Sequence, residues 1–469
     1  MADDSINHAA KSPRCLTRAN YLSLPPQSNN EPINAEPDPE QLTSSFITPQ
    51  SHVYLRNHGD ILHEDASAAS DWQVTIAVDK AVQTLWQQQG DAAKVSQETT
   101  LTLSQLKKQW PSMSVVAAME CAGNRRKDMA QAGSERKPEG LQWNQGTVAN
   151  SEWYGASLRE VLLSLNVPDP YGHLPEDKAI RLPPRVSSIQ RDSAEWSRHL
   201  FVQFISSQQL EEAQDKQAPQ DAFYGSSISL ATALHPNADV VLSYSVNSKD
   251  EALQSAHGYP LRVVIPGHLG ARWTKWLRCI RISPKPNRSE PMVEDYKHLT
   301  APDAAPEARK EWAESMMGDD KDEKVREKEL KQLPPMMRLG IGSGVSSPED
   351  NEQIELHRRE DGDSLYARVE GYAVGSEGSP VSLVEITLVE HKADDDDYAI
   401  RAKAAEAATW MRLDSGGAQD QAGSLKGHLE KANEENHRPV WSWTLWHADV
   451  PVDPKKYQQQ CSIVIRACE

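Results

Sequence analysis

Cysteine is scarce in this sequence: there are five in 469 residues, and no two of them form a Cys-x-x-Cys pair. This absence argues against a zinc ribbon and against a redox dithiol, because both need closely paired thiols. The odd number of cysteines also argues against the disulfide framework of a secreted protein. The sequence therefore predicts a reducing, intracellular compartment, with the cytoplasm as first choice and the mitochondrion as the alternative.

Long apolar runs and an excess of basic residues are missing too. No run approaches the ~18 apolar residues of a membrane-spanning helix. Lysine and arginine number 50 against 68 aspartates and glutamates, which gives a formal net charge of −18. Phosphate backbones and anionic membranes repel such a chain, so we expect neither nucleic acid nor a membrane as a partner. The composition predicts a soluble globular protein.

The composition changes along the chain, which predicts two domains, a leader and a linker. Residues 1–45 are rich in Pro, Asn, Ser and Glu, as a disordered leader is. Residues 46–300 mix strand and helix patterns, and residues 301–335 form a charged linker. Residues 336–469 show two-residue alternation, interrupted by an acidic, polar stretch at about 391–437 that we interpret as a long insertion.

Periodicity predicts the fold class. Val74–Val78 alternates as a strand does, whereas Leu103–Trp110 has helical spacing and stops at Pro111. Ser114–Met119 has the continuous apolar character of a buried strand. Later in the chain, short alternating segments such as Tyr366–Val374 favour a β-sandwich. The predicted class is α+β, with a mixed α/β domain followed by a β-sandwich.

The first candidate site is the string Cys-Ala-Gly-Asn-Arg-Arg at residues 121–126. A thiolate is the nucleophilic form of cysteine and a ligand for soft metals. A lone cysteine is more often a small buried apolar residue, but Gly123 and the Arg125–Arg126 pair favour chemistry at Cys121. Adjacent guanidinium groups lower the cost of an ionised sulfur and hold an oxyanion. The string predicts redox chemistry on a small oxyanion.

The second candidate lies at residues 257–277, where basic side chains occur among glycine and proline turns. His257 and Arg262 are five residues apart, and Arg272 and Lys275 follow after a Pro-Gly turn. A lone histidine or arginine is usually a satisfied or solvated residue, but this cluster is less easily explained that way. Glycines let the backbone approach a ligand and basic groups bind phosphate, so the pattern predicts a phosphorylated cofactor.

Both strings resemble the sulfite oxidase and assimilatory nitrate reductase family of molybdenum enzymes. Further segments match that family's motifs, in the family's order, over residues 46–469. These segments are Tyr54–His58, Gly140–Trp143, Glu152–Leu158, Tyr224–Ile228, Asp295–Lys297 and Val369–Ala373. The resemblance implies a molybdopterin-binding domain over 46–300 and an immunoglobulin-like β-sandwich over 336–469 that forms a homodimer.

The resemblance also assigns roles to individual residues. It implies that Cys121 ligates the molybdenum of a molybdopterin cofactor, and that Arg56, Arg126 and Tyr296 join it as catalytic residues. The residues implied to bind the cofactor are Tyr54, Leu55, Arg56, Asn57, His58, Cys121, His257, Arg262, Trp273, Thr274 and Lys275. The implied reaction is the oxidation of sulfite to sulfate by oxygen-atom transfer.

Three features depart from the family's pattern. Phe204–Gln208 replaces an acidic cofactor contact, and Ser379 falls where an arginine closes over sulfite. Losing one charge-assisted contact costs ~1.5–3 kcal/mol, or roughly ten- to a hundredfold in anion affinity. His235–Ala238 is not the family's His-Pro-Gly-Gly haem segment, so we expect no haem domain. Electrons would then pass to oxygen or to a separate redox protein.

Two alternatives remain open. Arg125-Arg126-Lys127 resembles the string of nitrate reductases, which would run the oxygen transfer in reverse. Ser379 and Gln208 would instead suit a homologue that binds the cofactor and dimerises but has lost turnover. Because Cys121 and the arginine pair are intact, the prediction is a sulfite-oxidising molybdenum oxidoreductase.

Overall fold

The computed structural model describes most of the two predicted domains. The described residues are 16–17, 32–89, 95–131, 140–172, 195–210, 219–297, 332–349, 352–358, 364–376, 378–392, 395, 397–406, 410–414, 427–430, 441–453, 455 and 460–468. Most of the predicted leader and linker, and much of the predicted insertion at 391–437, lie outside these residues. No helix within them is long and apolar enough to cross a membrane.

The helices are short and lie between strands. In chain order they are α1 (Pro39–Leu42), α2 (Lys80–Gln89), α3 (Leu103–Gln109), α4 (Arg126–Gln131), α5 (Leu158–Ser164), α6 (Glu195–Arg198), α7 (Leu230–Ala233), α8 (Glu290–Val293) and α9 (Asp397–Glu406). Local sequence explains where α3 begins: the Thr102 hydroxyl accepts the Gln105 N–H, and the Gln105 side chain accepts the Thr102 N–H. This capping box satisfies donors that the first turn of a helix leaves unpaired.

The first half of the chain folds into two large sheets and one two-stranded sheet. Its strands are β1 (Leu16–Thr17), β2 (Ala35–Glu36), β3 (Gln73–Val78), β4 (Glu98–Thr102), β5 (Ser112–Glu120), β6 (Val148–Ser157), β7 (Phe201–Gln209), β8 (Phe223–Ser229), β9 (Val241–Val246), β10 (Arg262–Val264) and β11 (Leu277–Ser283). One sheet has the order β4-β3-β11-β7-β8 and the other the order β10-β9-β6-β5, while β1 pairs with β2. Apolar residues from both sheets share one buried core, among them Val74 and Val115.

The second half is built from strands, with α9 as its helix among the described residues. These strands are β12 (Gly342–Ser347), β13 (His357–Arg358), β14 (Leu365–Val374), β15 (Leu383–His391), β16 (Met411–Asp414), β17 (Gly427–Glu430), β18 (Trp443–Val452) and β19 (Gln460–Cys468). They form the sheets β12-β14-β18-β17 and β16-β15-β19, with β13 paired to β14. Val369 of the first sheet and Ile386 of the second belong to one buried cluster. The predicted fold class, a mixed α/β part followed by a β-sandwich, is confirmed.

The two halves contact each other beside the cysteine loop. The Asn124 amide donates to the Tyr372 hydroxyl at 3.1 Å, and the Arg125 guanidinium donates to the Ser343 carbonyl at 2.6 Å. Further along the junction, the Trp441 indole N–H donates to Asp239 at 2.8 Å. These bonds fix the first candidate site against the sandwich.

The structure differs from the sequence prediction at the predicted leader and at the predicted insertion of about 391–437, where α9, β16 and β17 form. Asn34 and Glu36 are already buried, although ordered chain is predicted only from Phe46. Glu36 accepts the backbone N–H groups of Asn144 and Gly146, so its partners lie far along the chain. Glu152–Ser157 belongs to β6, and α5 begins after Ser157, whose hydroxyl accepts the Glu160 N–H as an N-cap.

A candidate oxyanion and cofactor cleft

The cysteine loop begins where β5 ends. The Cys121 N–H donates to the Thr147 carbonyl at 2.9 Å, and the Asn124 N–H donates back to the Cys121 carbonyl at 3.0 Å. The Gly123 N–H points at the Cys121 sulfur, with a nitrogen–sulfur distance of 3.4 Å. The thiol is therefore held in a tight turn, with a backbone donor directed at the sulfur.

The environment of Cys121 contains opposing electrostatic effects. Burial raises the pKa of the thiol, while the Gly123 N–H, Arg56 and Arg126 lower it. Burial is the largest of these effects, so the pKa stays above its usual value. Binding a metal would displace the thiol proton, because the thiolate is the ligand.

The two loop arginines have different surroundings. Arg125 has a left-handed backbone (φ 61°), and its side chain pairs with Asp128 at 2.9 Å as well as with Ser343. Arg126 donates to the Leu141 carbonyl at 2.8 Å. A Cβ placed on Gly123 would lie 2.7 Å from the Arg126 guanidinium, so that group rests directly on Gly123. Arg126 lies next to the loop but does not line the cleft described below.

A cleft with a cavity volume of about 50 Å³ contains most of the predicted residues. Those among the lining are Tyr54, Arg56, Asn57, His58, Cys121, His257, Arg262, Trp273, Lys275 and Tyr296. Leu55 and Thr274 are buried beside it: Leu55 packs in a small apolar cluster, and Thr274 shares a hydrogen bond with Ser226. The cleft thus brings together the residues of both candidate strings.

Arg56 provides a cation near the sulfur. Burial acts against its charge, but Tyr296 and Cys121 outweigh that effect and raise the pKa of the guanidinium. Its Nη1 donates to the Asn57 carbonyl and, at 3.3 Å, to the Asn34 side chain. The arginine is therefore charged at all physiological pH values and held in place by neutral acceptors.

His58 and Tyr296 form a hydrogen-bonded pair in the cleft. The His58 Nε2 and the Tyr296 hydroxyl are 2.6 Å apart. Burial, followed by Arg56 and Lys275, lowers the pKa of His58 well below its usual value, so the imidazole is neutral at pH 7. Burial raises the pKa of Tyr296 to about 12, so the phenol keeps its proton. Tyr296 is held with a left-handed backbone (φ 54°), which places a phenolic O–H in the cleft.

Arg262 and Lys275 also line the cleft. Arg262 is 2% exposed and lies 5.0 Å from the Trp153 ring, and it donates to the carbonyls of His257 and Trp273. Lys275 donates to the carbonyls of Arg56 and Ala256 and to the Asn57 amide oxygen. Burial, and then Arg262 and Arg56, lower the pKa of Lys275 well below its usual range.

The part of the cleft around Arg262 and Lys275 fits the phosphate of a pterin cofactor. The Arg262 Nε is a buried donor that finds no hydrogen-bond partner among the described residues. A buried guanidinium with an unused donor, beside a half-buried lysine, is an arrangement that an anionic group would complete. At Gly270 a Cβ would overlap the Tyr54 hydroxyl, so only glycine allows this close approach.

Tyr224 and Gln208 line the cleft although the sequence assigned them no role there, whereas Ser379 does not line it. Tyr224 lines the cleft and lies 5.3 Å from the His58 ring, but only its place in a family motif pointed to it. Gln208 also lines the cleft and donates to the Asp60 carbonyl at 3.0 Å. Ser379 is not among the lining residues, and its N–H donates to the Ser376 carbonyl in the turn between β14 and β15.

His268 belongs to the same loop but does not line the cleft. Burial, followed by Arg338, lowers the pKa of His268 to about 4. In the unfolded chain the imidazole takes up a proton near pH 6.5, whereas the folded protein resists it down to about pH 4. Stability is therefore lost as the pH falls through this window. We expect His268 to account for about 2 kcal/mol of the loss between pH 7 and pH 5.

The variant His268→Asn tests this expectation, because asparagine keeps a donor for the Pro266 carbonyl but does not titrate. Denaturant unfolding at pH 7 and pH 5 should show a smaller pH-dependent loss in the variant. Equal losses in both proteins would contradict the shifted pKa. His199→Asn, at a histidine whose side chain is 77% exposed, is the control.

Comparison with known proteins adds two family models that match in tandem. The oxidoreductase molybdopterin binding domain matches residues 66–290, and the Mo-co oxidoreductase dimerisation domain matches residues 334–469. The structure is similar to that of the sulfane dehydrogenase SoxCD from Paracoccus pantotrophus, with a TM-score of 0.55, 18% identity, and coverage of 100% of this chain and 85% of that one. At this identity the likeness concerns the fold alone.

Curated relatives include both oxidases and a reductase. Human mitochondrial sulfite oxidase is 26% identical over 468 residues, covering 100% of this chain and 62% of its own length. Arabidopsis thaliana sulfite oxidase is 28% identical over 358 residues, covering 76% of this chain and 71% of its own length. Nitrate reductase [NADH] 1 of Phaseolus vulgaris is 26% identical over 426 residues, covering 91% of this chain and 37% of its own length. The chain thus spans less than two thirds of the human relative.

Proposed function

Because the chain belongs to the sulfite oxidase family, as its two domain matches show, we propose that it oxidises sulfite to sulfate with a molybdenum cofactor held in the Cys121 cleft. The predicted family resemblance is confirmed. The observation that carries the proposal is the convergence of Cys121, Arg56 and Tyr296 on one cleft. A soft ligand, a fixed cation and a neutral hydroxyl donor are what an oxyanion reaction at a thiolate-bound metal requires.

The chain's own residues have separate tasks in this proposal. Cys121 holds the metal as a thiolate, and Arg262, His257 and Lys275 hold the anionic end of the cofactor. When bound, the cofactor supplies the two-electron oxidation and the oxygen-atom transfer. Arg56 binds the negatively charged substrate and orients the substrate towards Cys121.

Tyr296 acts as a hydrogen-bond donor in this proposal. Its O–H lies against a neutral His58, and the His58 Nε2 is the partner that it would exchange for a substrate oxygen. With a pKa of about 12, the phenol donates without losing its proton. Arg126 would act electrostatically, because its positive charge favours the thiolate form of Cys121.

The same proposal covers the assembly and the electron acceptor. The dimerisation-domain match over 334–469 supports a homodimer formed through the β-sandwich. Oxygen or a separate redox protein would accept the electrons. Size-exclusion chromatography with light scattering tests the dimer, which should have twice the mass of the 52.2 kDa chain.

Nitrate reduction is a second candidate. The Arg125-Arg126-Lys127 string and the match to a bean nitrate reductase favour it. The Lys127 ammonium, however, is exposed and donates to the Asn144 side chain at 3.1 Å, outside the cleft lining. The proposed function therefore remains sulfite oxidation.

The test is a paired assay on protein made in a host that produces the cofactor. We expect nearly one molybdenum per chain by elemental analysis, sulfite-dependent reduction of ferricyanide, and no nitrate-dependent oxidation of reduced viologen. Turnover of nitrate but not sulfite would establish the second candidate. Full molybdenum content without either activity would indicate a silent cofactor-binding homologue, and absence of molybdenum would overturn the proposal.

A further inference from the structure

A second cavity lies away from the Cys121 cleft, with a volume of about 300 Å³. This volume is within the ~300–1,000 Å³ typical of small-molecule sites. None of its lining residues lines the Cys121 cleft. The proposed reaction therefore gives it no task.

The lining combines an apolar interior with basic side chains. Ile265, Pro266 and Trp441 contribute apolar surface. Arg198 and Arg338 also line the cavity; the first is partly exposed and the second is exposed. No aspartate or glutamate is among the lining residues that the structure describes. Glu195 and Asp239 lie nearby, outside this lining. Glu195 contacts Arg198 at 3.5 Å, a distance that leaves most of the guanidinium's hydrogen-bonding capacity for other groups, and Asp239 accepts the Trp441 indole N–H.

Histidine and hydroxyl side chains complete the described lining. His235 and His268 are both buried, and His268 is neutral at pH 7 because its pKa is lowered to about 4. Ser229 and Thr232 add hydroxyl groups at the start of α7. The charge presented by the described lining is thus positive and comes from two arginines, in a chain whose net charge is −18.

The position of the cavity links it to both halves of the molecule. Trp441 comes from the segment before β18 and packs so closely on Gly267 that a Cβ there would lie 2.7 Å from the indole. Residues 265–268 line the cavity, and the next turn of the same loop carries Gly270 and Trp273 into the Cys121 cleft. The Trp273 indole N–H donates to the His268 carbonyl at 3.0 Å, so one loop forms a wall of both spaces.

From this arrangement we propose that the second cavity is a binding site for a small organic anion, a carboxylate or phosphate monoester with a compact apolar body. Arg198 and Arg338 bind the anionic group, and the apolar body lies against Pro266, Ile265 and Trp441. A guanidinium pair suits both carboxylate and phosphate because each arginine offers a planar fork of donors.

The test uses phenyl phosphate and benzoate as probes, with benzamide as the neutral analogue. Isothermal titration of the cofactor-loaded protein should show one site per chain for an anionic probe and no site for benzamide. Tighter binding of phenyl phosphate would indicate a phosphate site, and tighter binding of benzoate would indicate a carboxylate site. Arg198→Gln and Arg338→Gln should each weaken binding by about tenfold or more.

Two control variants separate this site from other basic surfaces. Arg288→Gln changes an exposed arginine outside both cavities and should leave the affinity unchanged. Arg56→Gln changes the Cys121 cleft and should also leave it unchanged. Absence of binding, equal binding of benzamide, or a loss in Arg56→Gln without a loss in Arg338→Gln would each overturn the proposal. None of these outcomes depends on whether sulfite is the substrate.

Discussion

Replacing Cys121 with serine is expected to reduce sulfite turnover by more than about a hundredfold. Loss of a residue that only orients a metal ligand typically costs about 10–100-fold, and loss of the ligand itself should cost more. Serine keeps the size of the side chain and can accept the Gly123 N–H as the sulfur does. Its oxygen is a hard ligand whose proton is held far more tightly than that of a thiol, so it does not replace a thiolate.

The fold should survive this substitution, which makes the result interpretable. The matched control is Cys279→Ser in β11, where the thiol is partly buried and lies outside the cleft. We expect the control to keep wild-type turnover and molybdenum content. If Cys121→Ser retained more than about a tenth of the wild-type rate, the proposed ligand role would be wrong.

Replacing Arg56 with glutamine is expected to raise the KM for sulfite by roughly ten- to a hundredfold. The lost charge-assisted contact corresponds to ~1.5–3 kcal/mol. Glutamine can still donate to Asn34 or to the Asn57 carbonyl, so the local fold keeps its partners. Ser379 lies outside the cleft lining, and Arg56 is a lining arginine that interacts electrostatically with Cys121, so the effect should be large.

The measurement is steady-state kinetics together with molybdenum content. A raised KM with unchanged molybdenum assigns Arg56 to the substrate, whereas lost molybdenum would assign it to the cofactor instead. Lys285→Gln, at an exposed lysine, is the control for a general change in charge. An unchanged KM with full cofactor loading would remove Arg56 from the anion site.

Much of the fold could be predicted because its signals are local. The alternation of Val74–Val78 coincides with β3, and the helical spacing that ends at Pro111 coincides with α3. The extent of β6 is not a local signal, because β6 lies between β5 and β9 and pairing on both sides extends the strand up to the Ser157 cap. Such pairing depends on partners elsewhere in the chain, which no local pattern reveals.

The candidate site shows the same division. The motif at 121–126 indicated chemistry, and most residues carried over from the family line one cleft. The sequence could not tell that Arg125 turns towards Ser343 while Arg126 rests on Gly123. Adjacent side chains point in different directions once the backbone is fixed, and Arg125 combines a left-handed φ with a guanidinium contact to the other half of the chain.

The bonds between the cysteine loop and the sandwich have a consequence for the order of biosynthesis. The donor Asn124 and its acceptor Tyr372 are 248 residues apart, and Arg125 and Ser343 are 218 residues apart. Ribosomes add about 5–20 residues per second, so the loop waits roughly 10–50 seconds for its last partners. The nascent first half therefore carries an incomplete loop during that interval. The cleft reaches its final shape only after the strands that contact it have left the ribosome.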